Sequence, residues 1–222
     1  MIRDFNFDSI QIKIPKRPAN SHKGNFGKVL VLGGSNGMGG AAILSSEASL
    51  FCGTGLVNLH THPNNVEASL KRNPEVMALG ADENYKIPDG MDVILCGPGL
   101  KNDDWSHGMY EKVIAKNGKH ALILDAGALP FLYKTYKTSQ IIDTPLILTP
   151  HPGEASVLLN VSVEKIQEDR LNAAKEISKK YNADVILKGS KTIVFSKLKK
   201  SSFRCNEGGP ELATGGTGDV LA

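Results

Sequence analysis

The segment Thr214-Gly215-Gly216-Thr217-Gly218-Asp219 holds the densest chemistry in the sequence. Its glycines permit tight backbone approach and positive φ angles, so that amide N–H groups can converge on one point. Asp219-Val220-Leu221-Ala222 reads as the start of a helix, and amides at a helix N-terminus attract anions. A carboxylate placed beside such an anion hole needs a task. General base fits: Asp219 takes a hydroxyl proton while the amides of Gly216, Thr217 and Gly218 hold a phosphoryl group under attack. The plainer alternative is an acid in the first turn of a helix that follows a glycine-rich loop.

Two further segments could serve the same chemistry. Lys188-Gly189-Ser190-Lys191-Thr192 ends a strand in Lys-Gly with hydroxyls nearby, which can set backbone amides and an ammonium against a di- or triphosphate. A solvated strand-end lysine is the alternative. In Thr149-Pro150-His151-Pro152-Gly153-Glu154, two prolines bracket His151 and neither strand nor helix can simply continue. His151 could position a ligand or a water, or merely hydrogen-bond the backbone of a tight turn; Glu154 could cap the helix that follows.

Glycine turns complete the set. Gly33 to Ala41 follows a strand and precedes a helix, but its spacing is not GxGxxG, and no acid ends a clean second strand about twenty residues on, which rejects a dinucleotide fingerprint. A looser reading stands: small residues here, at Gly97-Pro98-Gly99 and at Asp125-Ala126-Gly127 let a planar or sugar-bearing ligand lie close to the backbone. Asp125 could bind Mg²⁺ through water, with a structural capping role slightly preferred. His22-Lys23-Gly24-Asn25-Phe26-Gly27 reads as a turn with a basic residue. His60, His62, His107 and His120 show no metal-ligand spacing and are expected to be exposed, so no metal ligand is assigned among them.

The elements that must position these residues follow a rhythm. Lys28–Leu32, Val93–Cys96, Ala121–Leu124, Leu146–Leu148 and Val185–Leu187 are short apolar runs ending in Gly, Pro or Asp turns, as expected for strands buried on both faces of a mainly parallel sheet. Ala41–Cys52 and Val163–Tyr181 read as helices, the second with Ser162 as N-cap and with Ile166, Ala173, Ile177 and Tyr181 on one stripe. Thr192–Phe195 and Ser202–Cys205 suggest an edge hairpin. Residues 1–21, punctuated by Pro15 and Pro18, suggest a short helix and an extended arm. The fold class expected is α/β: a three-layer α/β/α sandwich with a mostly parallel central sheet, whose ligands bind at the carboxyl ends of the strands. No repeat or linker is visible in the 222 residues, which are read as one domain.

Bulk properties narrow the function. Hydrophobic content of 41% and charged content of 22% are ordinary for a globular chain. A net charge of +3, with only the short cluster Lys197, Lys199 and Lys200, provides no nucleic-acid footprint. Cys52, Cys96 and Cys205 form no framework; the apolar surroundings of Cys52 and Cys96 suggest buried thiols in a reducing compartment. No apolar run reaches membrane-spanning length and the N-terminus lacks an apolar signal core, so cytoplasm is the expected location.

In this order, HKGNFGKVLVLGGSNGMGGAA, PEVM (Pro74–Met77), GPGL (Gly97–Leu100), LDAGAL, LTPHPGE, LKGSKT and ATGGTGDVLA resemble the NAD(P)H-hydrate dehydratases, members of the ribokinase-like fold, over nearly everything from Ser21 onward. The resemblance implies repair of hydrated NADH or NADPH, with ADP as co-substrate in bacterial members, ATP in eukaryotic ones, and Mg²⁺. It implies Asp219 as the base beside the hydrate, Gly218 at the nucleotide, and Lys188, Gly189, Ser190, Lys191 and Thr192 as the nucleotide-binding run. Ala41, Gly99 and His151 join Asp219 in lining the hydrate site, and the assembly expected is a homo-oligomer, a tetramer. The compact, leaderless chain suggests the bacterial kind. Two departures stand out: Asn206 to Leu212 differs from the family's Asn-Pro-Gly-like approach, and the sequence stops at GTGDVLA where family members continue. The expectation is therefore a ribokinase-like domain incomplete at its C-terminus. Competing readings are an ATP-dependent vitamin-type kinase of the same fold and a catalytically silent nucleotide-binding fragment.

Overall fold

In chain order the elements are β1 (Ile2–Phe5), β2 (Lys28–Leu32), α1 (Gly39–Phe51), β3 (Leu56–Thr61), α2 (Val66–Arg72), β4 (Met77–Gly80), β5 (Val93–Cys96), α3 (Asp104–Ile114) and β6 (Ala121–Leu124). There follow α4 (Ala128–Tyr136), β7 (Leu146–Leu148), α5 (Pro152–Leu159), α6 (Val163–Glu168), α7 (Arg170–Tyr181), β8 (Asp184–Leu187), β9 (Ile193–Ser196), β10 (Ser201–Cys205) and α8 (Thr217–Leu221). The structure, a computed structural model, describes residues 2–9, 16–116, 118–136 and 144–222.

The strands form one sheet in the order β1-β10-β9-β8-β7-β6-β5-β2-β3-β4. From β8 to β4 every pairing is parallel, and β9 runs antiparallel to both β8 and β10. The apolar runs become the central strands because alternate residues bury on opposite faces. Leu30, Leu32, Ile94 and Cys96 enter a large core with the inner faces of α3, α4, α5 and α7, whereas Val31, Leu95, Val57 and Leu59 meet Ala42 and Ile43 of α1 on the other side. The three expected layers and the β9/β10 hairpin are thus present, but β1 pairs outside β10, so the hairpin lies one strand in from the sheet edge where it was expected.

Several expectations change. The amino-terminal segment is not helical at its start: β1 pairs in parallel with β10, Asp4 of β1 taking both Nε (2.6 Å) and Nη2 (2.8 Å) of Arg204. Met1 and residues 10–15, including Pro15, lie outside the described residues. The helix expected over Val163–Tyr181 is two. Asp169 leaves helical geometry (φ −144°, ψ 79°) so that its carboxylate can accept the Asn172 amide at 2.9 Å and cap α7. Cys52 is exposed at the end of α1, while Cys96 is buried and its thiol pushed up to about 12. His60 and His120 are buried rather than exposed. His60 bonds the Tyr85 hydroxyl, and burial holds its ring down to about 4.

The topology creates one particular crevice. From β2 the chain moves outward through β3 and β4, then returns to place β5 on the other side of β2. Strand order reverses there, and the helices that follow β2 and β5, α1 and α3, pack on opposite faces of the sheet, the place where open α/β sheets bind ligands.

Candidate active site

At that crevice the two glycine turns clasp each other. The Gly34 amide donates to the Pro98 carbonyl (2.8 Å) and the Ser35 amide to the Gly99 carbonyl (2.9 Å). Beneath them the hydroxyls of Ser35 and Ser106 are buried 2.6 Å apart. Gly99 takes φ +69°, and a Cβ there would overlap the Met38 carbonyl and stand 3.3 Å from the Cβ of Ala41. Ala41 and Gly99, assigned together from the sequence, are therefore neighbours. Small residues keep the floor of the crevice open.

The next strand ends supply charge. Asp125, after β6, is 1% exposed. Its Oδ1 accepts from Thr149 Oγ1 at 2.7 Å and from Lys188 Nζ at 2.6 Å, joining the ends of β6, β7 and β8. This pairing replaces the capping role preferred from the sequence. Glu154 Oε2 lies 4.0 Å from the same ammonium; burial raises the Glu154 carboxyl's pKa, and Lys188 opposes that rise.

His151 is the N-cap of α5. Its Nδ1 accepts the amides of Gly153 (2.9 Å) and Glu154 (3.3 Å), while the Glu154 carboxylate accepts the His151 amide at 2.8 Å, a reciprocal capping box. With Nδ1 accepting, a neutral ring carries its proton on Nε2, which lies 3.4 Å from Glu154 Oε1 on an exposed edge. Both bland readings of this turn are thus realised, and the outer edge of the ring is still available to a ligand.

The GGTGD loop closes the crevice from the α1 side. Gly216, at φ +96°, turns the chain into α8, which begins at Thr217, two residues earlier than Asp219. The loop is held by Thr217 Oγ1 donating to the carbonyls of Leu212 and Thr214, each at 3.0 Å. Gly216 has no side chain to cap the first turn, whose amides have no intrahelical acceptor. Ser45 Oγ of α1 donates to the Asp219 carbonyl at 2.8 Å. Burial raises the pKa of the Asp219 carboxyl, the Asp125 charge adds to the rise, and Lys188 opposes it. Lys188 Nζ also lies 3.6 Å from where a Cβ on Gly218 would stand, so one ammonium faces both segments that the sequence assigned to phosphate.

Gly189, Ser190 and Lys191 are exposed beside this ammonium, with Gly189 at φ +136° and Lys191 at φ +55°. Thr192 Oγ1 closes the turn on the Gly189 carbonyl at 3.0 Å. The structure therefore gathers Ala41, Gly99, His151, Lys188 and Gly216 to Asp219 around one line of strand ends. Sequence reasoning missed Thr149, Ser45 and Arg170, which hold these groups in place. Thr149 sits inside an already suspect motif, but Ser45 and Arg170 lie on helices whose local pattern gives no such signal. Among the described residues no group of three His, Cys, Asp or Glu side chains could hold a metal ion, and no helix is long and apolar enough to cross a membrane.

A mostly parallel sheet with its crevice at the strand-order reversal and a GGTGD turn across the strand ends define a ribokinase-like protein. The chain belongs to the NAD(P)H-hydrate dehydratase family, whose sequence pattern matches residues 29–222. It is 38% identical over 212 residues to the bifunctional NAD(P)H-hydrate repair enzyme of Coxiella burnetii, covering 94% of this chain and 42% of that protein. The chain thus spans about two fifths of the length of such bifunctional relatives. It is 35% identical to the ADP-dependent (S)-NAD(P)H-hydrate dehydratase of Staphylococcus aureus, covering 95% of this chain and 75% of that one. Among solved structures, the ADP/ATP-dependent NAD(P)H-hydrate dehydratase of Bacillus subtilis, co-crystallised with ATP/Mg²⁺, superposes with a TM-score of 0.82 at 31% identity, covering 94% of this chain and 74% of that one. A ribokinase-like superfamily protein of Enterococcus faecalis gives 0.85 at 31% identity, covering 99% and 77%.

Proposed function

We propose that this chain catalyses the ADP-dependent dehydration of (6S)-NAD(P)H hydrate to NAD(P)H, releasing AMP and phosphate. The observation that carries the reading is a carboxyl of raised pKa, Asp219, in an uncapped helical turn that also faces the Lys188 ammonium. The hydrate lies on the small-residue floor made by Ala41 and Gly99, with His151 at its edge. Asp219 takes the proton of the ring hydroxyl as its oxygen attacks the β-phosphorus of ADP, and AMP departs with the electron pair of the broken bond. The amides of Gly216, Thr217 and Gly218 receive the transferring phosphoryl; Lys188 and the Gly189–Thr192 turn hold the nucleotide phosphates. Loss of phosphate, with a proton from the neighbouring ring carbon, restores the double bond of the reduced nicotinamide.

Among the described residues no three acidic, His or Cys side chains gather to hold a metal ion, Asp125 being bonded to Lys188 and Thr149 and Glu154 to the His151 cap. Mg²⁺ would therefore be held through the nucleotide phosphates, whose charge it would neutralise. No step is assigned to it. The free thiols of Cys52, Cys96 and Cys205 agree with a cytoplasmic setting, and a homo-oligomer is the assembly we infer from the family.

The test is incubation of the purified protein with hydrate and ADP. AMP, phosphate and reduced nicotinamide should appear in equal amounts. A stable phosphorylated product formed from ATP would replace this reading with a kinase; nucleotide affinity without any product would leave a binding module.

A further inference from the structure

Arg170 is the first residue of α7, and its side chain reaches under the turn that follows β8. Nη2 donates to the carbonyls of Leu187 and Lys188, each at 3.1 Å, and Nη1 donates to the carbonyl of Ser190. Nε is buried and has no partner among the described residues, so the guanidinium faces carbonyl dipoles rather than a carboxylate. A Cβ on Gly189 would come within 2.9 Å of Nη2: the cation packs directly beneath that glycine.

The peptide unit turns this into a statement about the other face of the loop. In a trans peptide the C=O and the following N–H point in opposite directions. Arg170 draws the Lys188 carbonyl inward, which directs the Gly189 amide outward. It draws the Ser190 carbonyl inward, which directs the Lys191 amide outward. The Gly189 carbonyl is taken by Thr192 and the Leu187 peptide is pinned from its other side, where the Lys188 amide donates to Pro150. Left to itself, a turn with Lys191 at φ +55° and Gly189 at φ +136° has many alternatives, several of which would present carbonyl oxygens outward and repel an anion.

We propose that Arg170 is a positioning residue for nucleotide binding: by gathering three carbonyls of the Leu187–Ser190 turn, it presents the Gly189 and Lys191 amides to the diphosphate of the co-substrate without touching it. This rests on the reading of Lys188–Thr192 as the nucleotide run. Lysine cannot substitute, because a single ammonium cannot span carbonyls on both sides of the turn as a planar fork does.

The experiment compares the parent chain with Arg170→Lys, Arg170→Gln and Arg170→Ala by steady-state kinetics, thermal unfolding and amide hydrogen exchange over residues 187–192. Expected are a rise in the KM for ADP of roughly tenfold or more, a KM for hydrate within about twofold of the parent, and faster exchange confined to the turn. Methylguanidinium should restore part of the ADP affinity of Arg170→Ala and none of that of Arg170→Lys. Unchanged turn exchange, an unchanged KM for ADP, or equal loss toward both substrates with a lowered unfolding temperature would each overturn the inference. If the parent itself neither binds ADP nor turns over hydrate, the proposed function falls, while the exchange measurement still decides whether Arg170 orders the turn.

Discussion

Lys188 Nζ lies 2.6 Å from Asp125 Oδ1, with the lysine side chain 15% exposed and the aspartate 2%. A pair this buried is held by geometry, because desolvation of each charge offsets much of the attraction. Removing the cation leaves a carboxylate with Thr149 as its remaining donor at that oxygen. Lys188→Met should therefore cost about 3–5 kcal/mol, and the double variant Lys188→Met/Asp125→Asn clearly less than the sum of the two singles. Urea denaturation of all four proteins measures this; additive losses would mean the contact contributes nothing.

Asp219 should show the opposite relation between activity and stability. Its pKa in the folded protein is raised, so the folded state favours the protonated form. The stabilising contribution is full below its unfolded pKa and lost as pH rises through the folded one. At neutral pH the ionised carboxylate is thus a burden, and Asp219→Asn should unfold at the same or a higher temperature. Turnover should fall by about 10²–10⁴, the usual share of a general base, with ADP affinity nearly unchanged. A variant that lost stability along with activity would mark Asp219 as structural.

The same raised pKa sets the acid limb of the pH profile. kcat/KM should fall with decreasing pH at a value above the ordinary aspartate range, as Asp219 becomes protonated. Asp125 contributes to the rise and Lys188 opposes it. In Asp125→Asn the repelling charge is gone and the ammonium is freed, and both changes favour ionised Asp219. The limb should move to lower pH in whatever activity remains. Movement to higher pH would contradict the arrangement.

Strands β2 and β5 to β8 were legible because burial on both faces leaves an unbroken apolar run, as in Val93–Cys96 and Ala121–Leu124. Asn58 and His60 interrupt the run of the interior strand β3, which was not expected. β4 falls in the short apolar run Val76–Leu79 that follows Pro74-Glu75, and lies at the sheet edge with Met77 and Leu79 half-exposed, so it lacks the buried-strand context of the others. β1 is defined only by a partner about two hundred residues away, β10. The break at Asp169 hid inside a continuous helical stripe, since it is a side-chain cap and not a loss of apolar period. His60 and His120 misled because a histidine's burial depends on which strand lies beside it. Site motifs were visible as glycine and proline punctuation, yet their joining was not. The contact from Asp125 to Lys188 requires β6, β7 and β8 to pair in order, and Arg170 meets its turn only once α7 packs back against β8.

His151 carries two duties that can be separated by substitution. Its Nδ1 caps α5, and the Nε2 of this exposed side chain lies 3.4 Å from Glu154 Oε1, at the edge proposed to meet the hydrate. His151→Ala removes both and should cost about 1 kcal/mol, the usual loss for an N-cap, together with a higher KM for hydrate. His151→Asn restores an acceptor for the amides of Gly153 and Glu154 but has nothing at the position of Nε2. Stability should return in the Asn variant while the KM stays raised. Chemical denaturation and hydrate kinetics on the two variants decide the matter: if Asn restores both quantities, His151 is a helix cap and the hydrate does not reach it.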